Sequence, residues 1–494
     1  MSLATTKSRV GSIPQPKSAL RLFLQLESVP PVLRPLVRAY LLGYVSSVAP
    51  RLLALAVKHI LRRRREKPAA NHDAPSFAAS AAHILRVALE INRFPAFCAA
   101  LAGGTALLQA PVRKLVDEFA ANLSKLSRLR LARWTASFVA AWLSLRLLQG
   151  KKRSNAAPEA GSPTGSSEEM PAMASDRTLD LTLFAATRAV DVVVGELWSK
   201  HRARREAART WSRGERLVSH LIDPLVFSAS CSFIMWAWFY TPNTLPKTYA
   251  KWITSAAQVD HRLIEALQRC LKGELQYGQD TGQAALLEPM CAEYEWPLEW
   301  ADPAKTIPIP CEMVHMGCGP SCEYHALSRF VRSWKWSMMT YLPISLALLV
   351  RNPSRRGLVK AIKSASRSSV FLGMFITLFY YGVCLARTRI GPHVLGKDVA
   401  SRQRIDSGIC VATGCFLCGW SVLFETMSRR TDMALFVAPR GLGTIVPRQY
   451  PIEKQWRETL VFSVSAAVVF AGVLENPKSV RGFLGRLLGM VMRQ

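Results

Sequence analysis

Apolar residues along this chain are gathered into ten runs, most of them about 15 to 20 residues long, with short Arg- and Lys-rich stretches between them. A helix needs about 20 such residues to cross the hydrocarbon of a bilayer. The clearest run is 224–240, PLVFSASCSFIMWAWFY, which carries no charge and ends in an aromatic cluster suited to the membrane interface. The others cover 39–57, 94–110, 134–149, 178–198, 336–350, 370–386, 408–427, 432–446 and 458–474. The pattern predicts an all-α, polytopic helical membrane protein with about eight to ten apolar helices in two related halves.

The stretches between the runs predict the organisation. Residues 1–30 form a disordered N-terminus, and 31–153 a first helical membrane region. Residues 154–177 are rich in Ser, Pro, Gly and Ala, cannot bury enough apolar area to fold, and predict a flexible linker. Residues 178–241 complete the first half with a basic helix at 200–216 and a transmembrane helix. An acidic loop region containing Cys and His occupies 242–335, a second helical membrane repeat 336–475, and an amphipathic tail 476–494.

Charge changes the reading of partners. Lys and Arg number 64 against 34 Asp and Glu, a net charge of +30, which by itself would suit nucleic acid. The basic residues instead sit in short clusters against apolar runs, such as HILRRRREK at 59–67, where membrane loops carry them. The expected partner is therefore a bilayer with anionic headgroups, and not nucleic acid. The acidic region lies between two basic flanks, 200–216 and 351–367, which predicts that it faces the opposite side of the membrane from both.

One internal repeat is legible. DLTLFAATRAV at 180–190 and DMALFVAPRGL at 432–442 match at five of eleven positions. In each copy an Asp and an Arg stand eight residues apart, Asp180 with Arg188 and Asp432 with Arg440. Eight residues is about 12 Å along a helix, so each pair shares a broadly similar face and is a candidate intramembrane charged pair. The alternative is structural, with each Asp complementing a helix start and each Arg snorkelling. Gly103 and Gly104, among other small residues, are expected to let helix backbones pack closely.

The densest chemistry lies at 311–325, where Cys311, His315, Cys318, Cys322 and His325 stand within fifteen residues. These thiols and imidazoles could form a zinc site, a Cys311–Cys322 disulfide, or a packed group of free thiols, and the spacing matches no standard zinc finger. No resident cofactor is expected beyond that zinc reading. No nucleophile elbow, phosphate loop, dinucleotide fingerprint or zincin motif occurs, so no catalytic residue is assigned. His220, Asp223 and Ser219 read as structural groups at a helix end.

Cys311, His315, Gly319-Pro320-Ser321-Cys322 and the helix leading to Tyr341-Leu342-Pro343 carry a family resemblance. It continues through Ser368-Ser369-Val370-Phe371-Leu372, Cys384-Leu385-Ala386-Arg387, Ser428-Arg429-Arg430 and Asp432-Met433-Ala434-Leu435-Phe436. Over roughly its second half the chain resembles the amino-terminal region of the transmembrane protein 135 family. The repeated unit is distantly similar to mitochondrial inner-membrane translocase channels and small peroxisomal membrane proteins. The resemblance implies a non-enzymatic protein of the peroxisomal membrane, or second the mitochondrial membrane, with roles in organelle dynamics and lipid handling, as a transport pathway or scaffold. A second copy of the chain or organelle-machinery proteins are its expected protein partners. The alternatives are a membrane-embedded lipid-modifying enzyme using the Cys/His group as a metal site, and an adaptor tethering organelles through basic loops.

Overall fold

The computed structural model describes residues 29–65, 77–150, 176–349 and 353–493. The expected disordered N-terminus up to residue 28, the linker up to residue 175, and the ends of two basic clusters, at 66–67 and 351–352, lie outside the described residues. Among the described residues all regular structure is helical. Helices α1 (Arg34–Arg65), α2 (Phe77–Ala88), α3 (Phe94–Phe119) and α4 (Lys125–Gln149) are followed by α5 (Asp176–Ala207) and α6 (Arg213–Tyr240). Four short helices come next: α7 (Lys247–Ala257), α8 (His261–Lys272), α9 (Ala284–Glu293) and α10 (Cys311–Val314). The long α11 (Cys322–Leu349) and α12 (Arg355–Cys384) lead into a π-turn at Leu385–Arg389, then α13 (Gly391–Val394) and α14 (Val399–Arg404). A kink at Ile405–Ile409, where Gly408 takes φ +123°, precedes α15 (Cys410–Cys418), α16 (Met427–Leu442), α17 (Gln455–Glu475) and α18 (Gly482–Val491).

Among the described residues, six helical segments are long and apolar enough to cross a membrane: Arg34–Ile60, Phe94–Phe119, Arg213–Tyr240, Arg355–Val394, Val399–Phe424 and Ile452–Glu475. They contain five of the ten apolar runs whole and a sixth, 408–427, as far as Phe424. The other four lie on helices that are shorter or more polar. The run at 134–149 belongs to α4, with Lys125, Arg128, Arg130, Arg133 and Arg146, and that at 178–198 to α5, with Asp180, Arg188, Asp191 and Glu196. In α11 the run is diluted by Ser337, Thr340, Pro343 and Ser345, and α16 is only 16 residues long. Large apolar side chains stand exposed along the crossing helices, among them Leu53, Val57, Leu107 and Phe233, as lipid-facing positions do. The protein is a multi-pass helical membrane protein.

The chain forms two compact units. Unit 1 takes residues up to 174, Arg188–Glu196 and Pro451–Gln494; unit 2 takes Ser175–Thr187 and Leu197–Tyr450. In unit 1, α1 packs on α3, α3 on α4, and α4 on α17. Ala189 and Val192 of α5 pack with Val469, Phe470 and Val473 of α17. The tail helix α18, expected at the membrane surface, turns Leu484, Leu488 and Val491 into this same core. In unit 2, α11 packs on α12, α12 on α15, α15 on α6, and α6 on α16.

Sequence relates the two packing orders. Gly104, Phe138 and Trp142 stand 278 positions before Gly382, Phe416 and Trp420, which pairs α3 and α4 with α12 and α15. Asp180 and Asp432, 252 apart, pair α5 with α16. LVFSAS at 225–230 and LVFSVS at 460–465, 235 apart, pair α6 with α17. The first drop in offset is close to the length of the Ser- and Pro-rich linker, and the second equals the 17-residue basic stretch at 200–216. Matched in this way, the last helices are exchanged, with α17 packing on the first copy's α4 in unit 1 and α6 on the second copy's α15 and α16 in unit 2, where the Asp180 end of α5 also lies.

The acidic stretch expected as a loop is folded. Helices α8 and α9 and the segment after them bury Leu263, Ala266, Cys270, Leu275, Leu287, Met290, Cys291, Ile309 and Met313 in a core of their own. α8 is strongly amphipathic, but these helices are each 12 residues or fewer, shorter than the apolar runs that mark the rest of the chain.

Candidate functional site: a thiol–imidazole cluster beside an apolar cavity

Cys311 and His315 stand four residues apart on the turn of α10, so they share one face. The chain then reverses through a left-handed stretch, with φ of +50° at Met316, +79° at Gly317 and +84° at Gly319. Glycine supplies that conformation without a Cβ clash, and the reversal lays Cys311 and His315 over Cys322, the first residue of α11. The ligating atoms of Cys311, His315 and Cys322 all lie within 4.8 Å of one another. A fourth group arrives from the end of α12, where Cys384 Sγ is 3.4 Å from His315 Nε2. Cys322 stands close enough to Cys311 and Cys384 to raise the pKa of the Cys311 thiol. All eleven cysteines are free thiols in this structure.

His315 is fully buried, and its Nδ1–H donates to the Gly319 carbonyl at 2.7 Å. A carbonyl only accepts, so this bond leaves Nε2 with its lone pair directed at the cysteines. Burial lowers the His315 pKa and, with His315, Arg329 and Arg332 nearby, pushes His325 down to about 3, so both rings are neutral. Burial raises the Cys311 thiol to about 11, with the Arg387 guanidinium opposing it.

The other two residues of the sequence cluster make different contacts. Cys318 Sγ faces Ser328 Oγ at 3.8 Å and Arg332 Nη2 at 3.7 Å. His325 stacks on His315 with ring centroids 4.5 Å apart and meets the Tyr380 ring edge-on at 5.2 Å. Its ring nitrogens are buried and have no hydrogen-bond partner among the described residues.

Below the cluster lies a buried polar network. Arg387 donates to Asp406 through Nε at 2.6 Å and Nη2 at 2.9 Å, and to the Ile309 carbonyl at 2.8 Å. The Tyr277 hydroxyl donates to Asp406 Oδ2 at 2.5 Å, and its burial holds Tyr277 protonated. Arg387 sits in the π-turn after α12 and Asp406 in the kink before α15.

The repeat's charged residues have other partners. Asp180 is 3.5 Å from Arg448. Arg188 donates to the Arg481 carbonyl at 3.3 Å, and Arg440 donates to the Phe436 carbonyl of its own helix and lies over the Phe436 ring. Asp432 is half-buried on α16. Gly103 faces Leu36 of α1, where an added Cβ would come within 2.6 Å, and Gly104 faces Ala140 of α4 at 3.1 Å.

Beside the cluster, unit 2 encloses a cavity of about 310 Å³ between α6, α7, α11, α12 and α16. Its wall is almost wholly apolar and includes Met235, Ala256, Phe375, Ile376 and Met433. Trp252 and Phe436, both about half exposed, stand at its rim. Tyr380 belongs to both places, lining the cavity while its ring abuts His325. Its hydroxyl donates to the Ala257 carbonyl at 3.1 Å, and Arg329 lies over its ring at 4.4 Å.

Sequence reasoning missed Cys384, Arg387, Asp406 and Tyr277. Cys384 sits in an apolar run and reads there as a small hydrophobe. Arg387, at the edge of that run, was the available signal, because a charge at the end of a membrane segment needs a partner. Compared with protein-family models, curated proteins and solved structures, the chain matches none.

Proposed function

We propose that this is an organelle membrane protein that takes the apolar chain of a lipid into the cavity of unit 2, as a non-enzymatic carrier or pathway for lipid. The observation that carries this reading is the cavity itself, about 310 Å³ with an almost wholly apolar wall. An apolar cavity offers water too few hydrogen bonds, so its natural occupant is apolar. A ligand with a chain and a headgroup suits it, because the rim residues Trp252 and Phe436 are partly exposed while the inner wall is buried. The peroxisomal membrane is the favoured location and the mitochondrial membrane the second. The support for an organelle is the sequence resemblance together with the basic cluster at the end of the first crossing helix.

Two measurements test the reading. A fluorescent fusion of the full chain, imaged against peroxisomal and mitochondrial markers, should follow the peroxisomal marker; retention at the plasma membrane would reject the organelle assignment. Purified full-length protein exposed to a photoactivatable fatty acid should be labelled at cavity residues in competition with unlabelled lipid. Labelling confined to outward-facing Phe233 would reject the cavity as a lipid site.

A further inference from the structure

We propose that Cys311, His315, Cys322 and Cys384 bind one zinc ion, forming a structural Cys3His centre that fastens the folded acidic segment to membrane helix α12. The inference stands apart from lipid binding and would hold if the cavity proved empty.

The donor set is the one structural zinc takes, three thiolates and a neutral imidazole. Bonds of about 2.0 to 2.3 Å in a tetrahedron place neighbouring ligand atoms about 3.6 Å apart. The His315 Nε2 to Cys384 Sγ separation is 3.4 Å, and the donor atoms of Cys311, His315 and Cys322 lie within 4.8 Å of one another. The surrounding groups fit as well. Zinc-binding histidines donate their second N–H to a carbonyl or carboxylate, which fixes the tautomer, and His315 makes that bond to Gly319. Zinc would displace three thiol protons and accept the bare Nε2, leaving a centre of net charge −1 close to the Arg387 guanidinium.

The position gives the ion a structural purpose. Its ligands come from α10, the start of α11 and the end of α12, so a single ion joins the acidic segment to two long helices. The first copy of the repeat has Ala106 where the second has Cys384, 278 residues later, so the centre belongs to unit 2 alone.

The experiment is metal analysis of the full-length chain, purified in detergent under reducing conditions without added metal. About one zinc per chain is expected, retained in Cys318→Ala and lost at least tenfold in Cys311→Ala and Cys384→Ala. Replacement by cobalt should give the intense visible bands of tetrahedral thiolate coordination. Because a ligand variant can fail to fold, wild-type protein is also probed directly: alkylation of Cys311, Cys322 and Cys384 should be slow until a chelator strips the ion. Absence of zinc with these thiols equally reactive before and after chelation would overturn the proposal. So would a Cys311–Cys322 disulfide in the purified protein, or zinc that depends on Cys318 and not on Cys384.

Discussion

Arg387 and Asp406 form an ion pair between a π-turn and a kinked segment, 2.6 Å between Nε and Oδ1, with both side chains almost without exposure. Such a pair contributes little net stability relative to a well-packed apolar substitute, but breaking it strands a charge. Asp406→Asn should therefore cost about 3 to 5 kcal/mol, because Arg387 stays charged and buried. The double variant Arg387→Met/Asp406→Leu should recover most of the thermal midpoint lost in the single variant, measured in detergent by the temperature at which monodisperse protein disappears. A double variant no better than Asp406→Asn would mean that the pair positions its surroundings through its hydrogen bonds to Ile309 and Tyr277 and not through charge balance alone.

The glycines at helix contacts should rank by what an added methyl group meets. At Gly419 it would stand 2.3 Å from Ser228 Cα, at Gly382 2.9 Å from Gly414 Cα, and at Gly104 3.1 Å from Ala140 Cβ. Backbone atoms cannot move aside as side chains do, so Gly419→Ala and Gly382→Ala should each cost about 1 to 3 kcal/mol or more. Gly104→Ala should be near neutral, since a slight shift at Ala140 is offset by about 1 kcal/mol of helix propensity. Thermal midpoints of the three variants should fall in that order, and a reversed order would contradict the packing at α6, α12 and α15.

Filling the cavity is a test that changes no charge. Ala256→Trp adds a large apolar side chain at the wall, where it should displace a bound chain while leaving the fold in place. Lipid recovered with the purified protein should fall several-fold at an unchanged thermal midpoint. Equal recovery from wild type and variant would place the bound lipid on the outer surface of the helices.

How far the sequence could be read depended on the range of the signal. The crossing helix at 224–240 was legible because its apolarity is a local property of 17 consecutive residues. Cys311, His315 and Cys322 were legible because they lie within twelve residues, but Cys384 stands 69 positions from His315 and reaches it only through the packing of α12 on α11. The same applies to charge. The Asp and Arg of each repeat drew attention through regular spacing, whereas Arg387 and Asp406 are brought together by a π-turn and a kink that no periodicity reveals. The exchanged last helices were likewise out of reach, since LVFSAS and LVFSVS are adjacent to their partners in space and not in sequence.

That exchange makes the most discriminating prediction. In 225–230 and 460–465 the Phe and both Ser are buried in each copy, and the one mismatch, Ala229 against Val464, falls at an exposed position. Each Phe meets a ring on a matched helix of its unit, Phe462 with Phe97 on α3 at 5.8 Å and Phe227 with Phe371 on α12 at 5.9 Å. Ala229→Val and Val464→Ala should thus each stay within about 0.5 kcal/mol of wild type. Ser228→Leu and Ser463→Leu should disrupt packing, but in different units, because α6 closes unit 2 and α17 closes unit 1. Cysteines report the difference: Cys98 is the one cysteine of unit 1, while Cys415 and Cys418 lie buried in unit 2. Ser463→Leu should speed alkylation of Cys98 and leave Cys415 and Cys418 protected, and Ser228→Leu should do the reverse. Were each variant to expose the cysteines of its own sequence copy instead, with Ser228→Leu freeing Cys98, the last helices would not be exchanged.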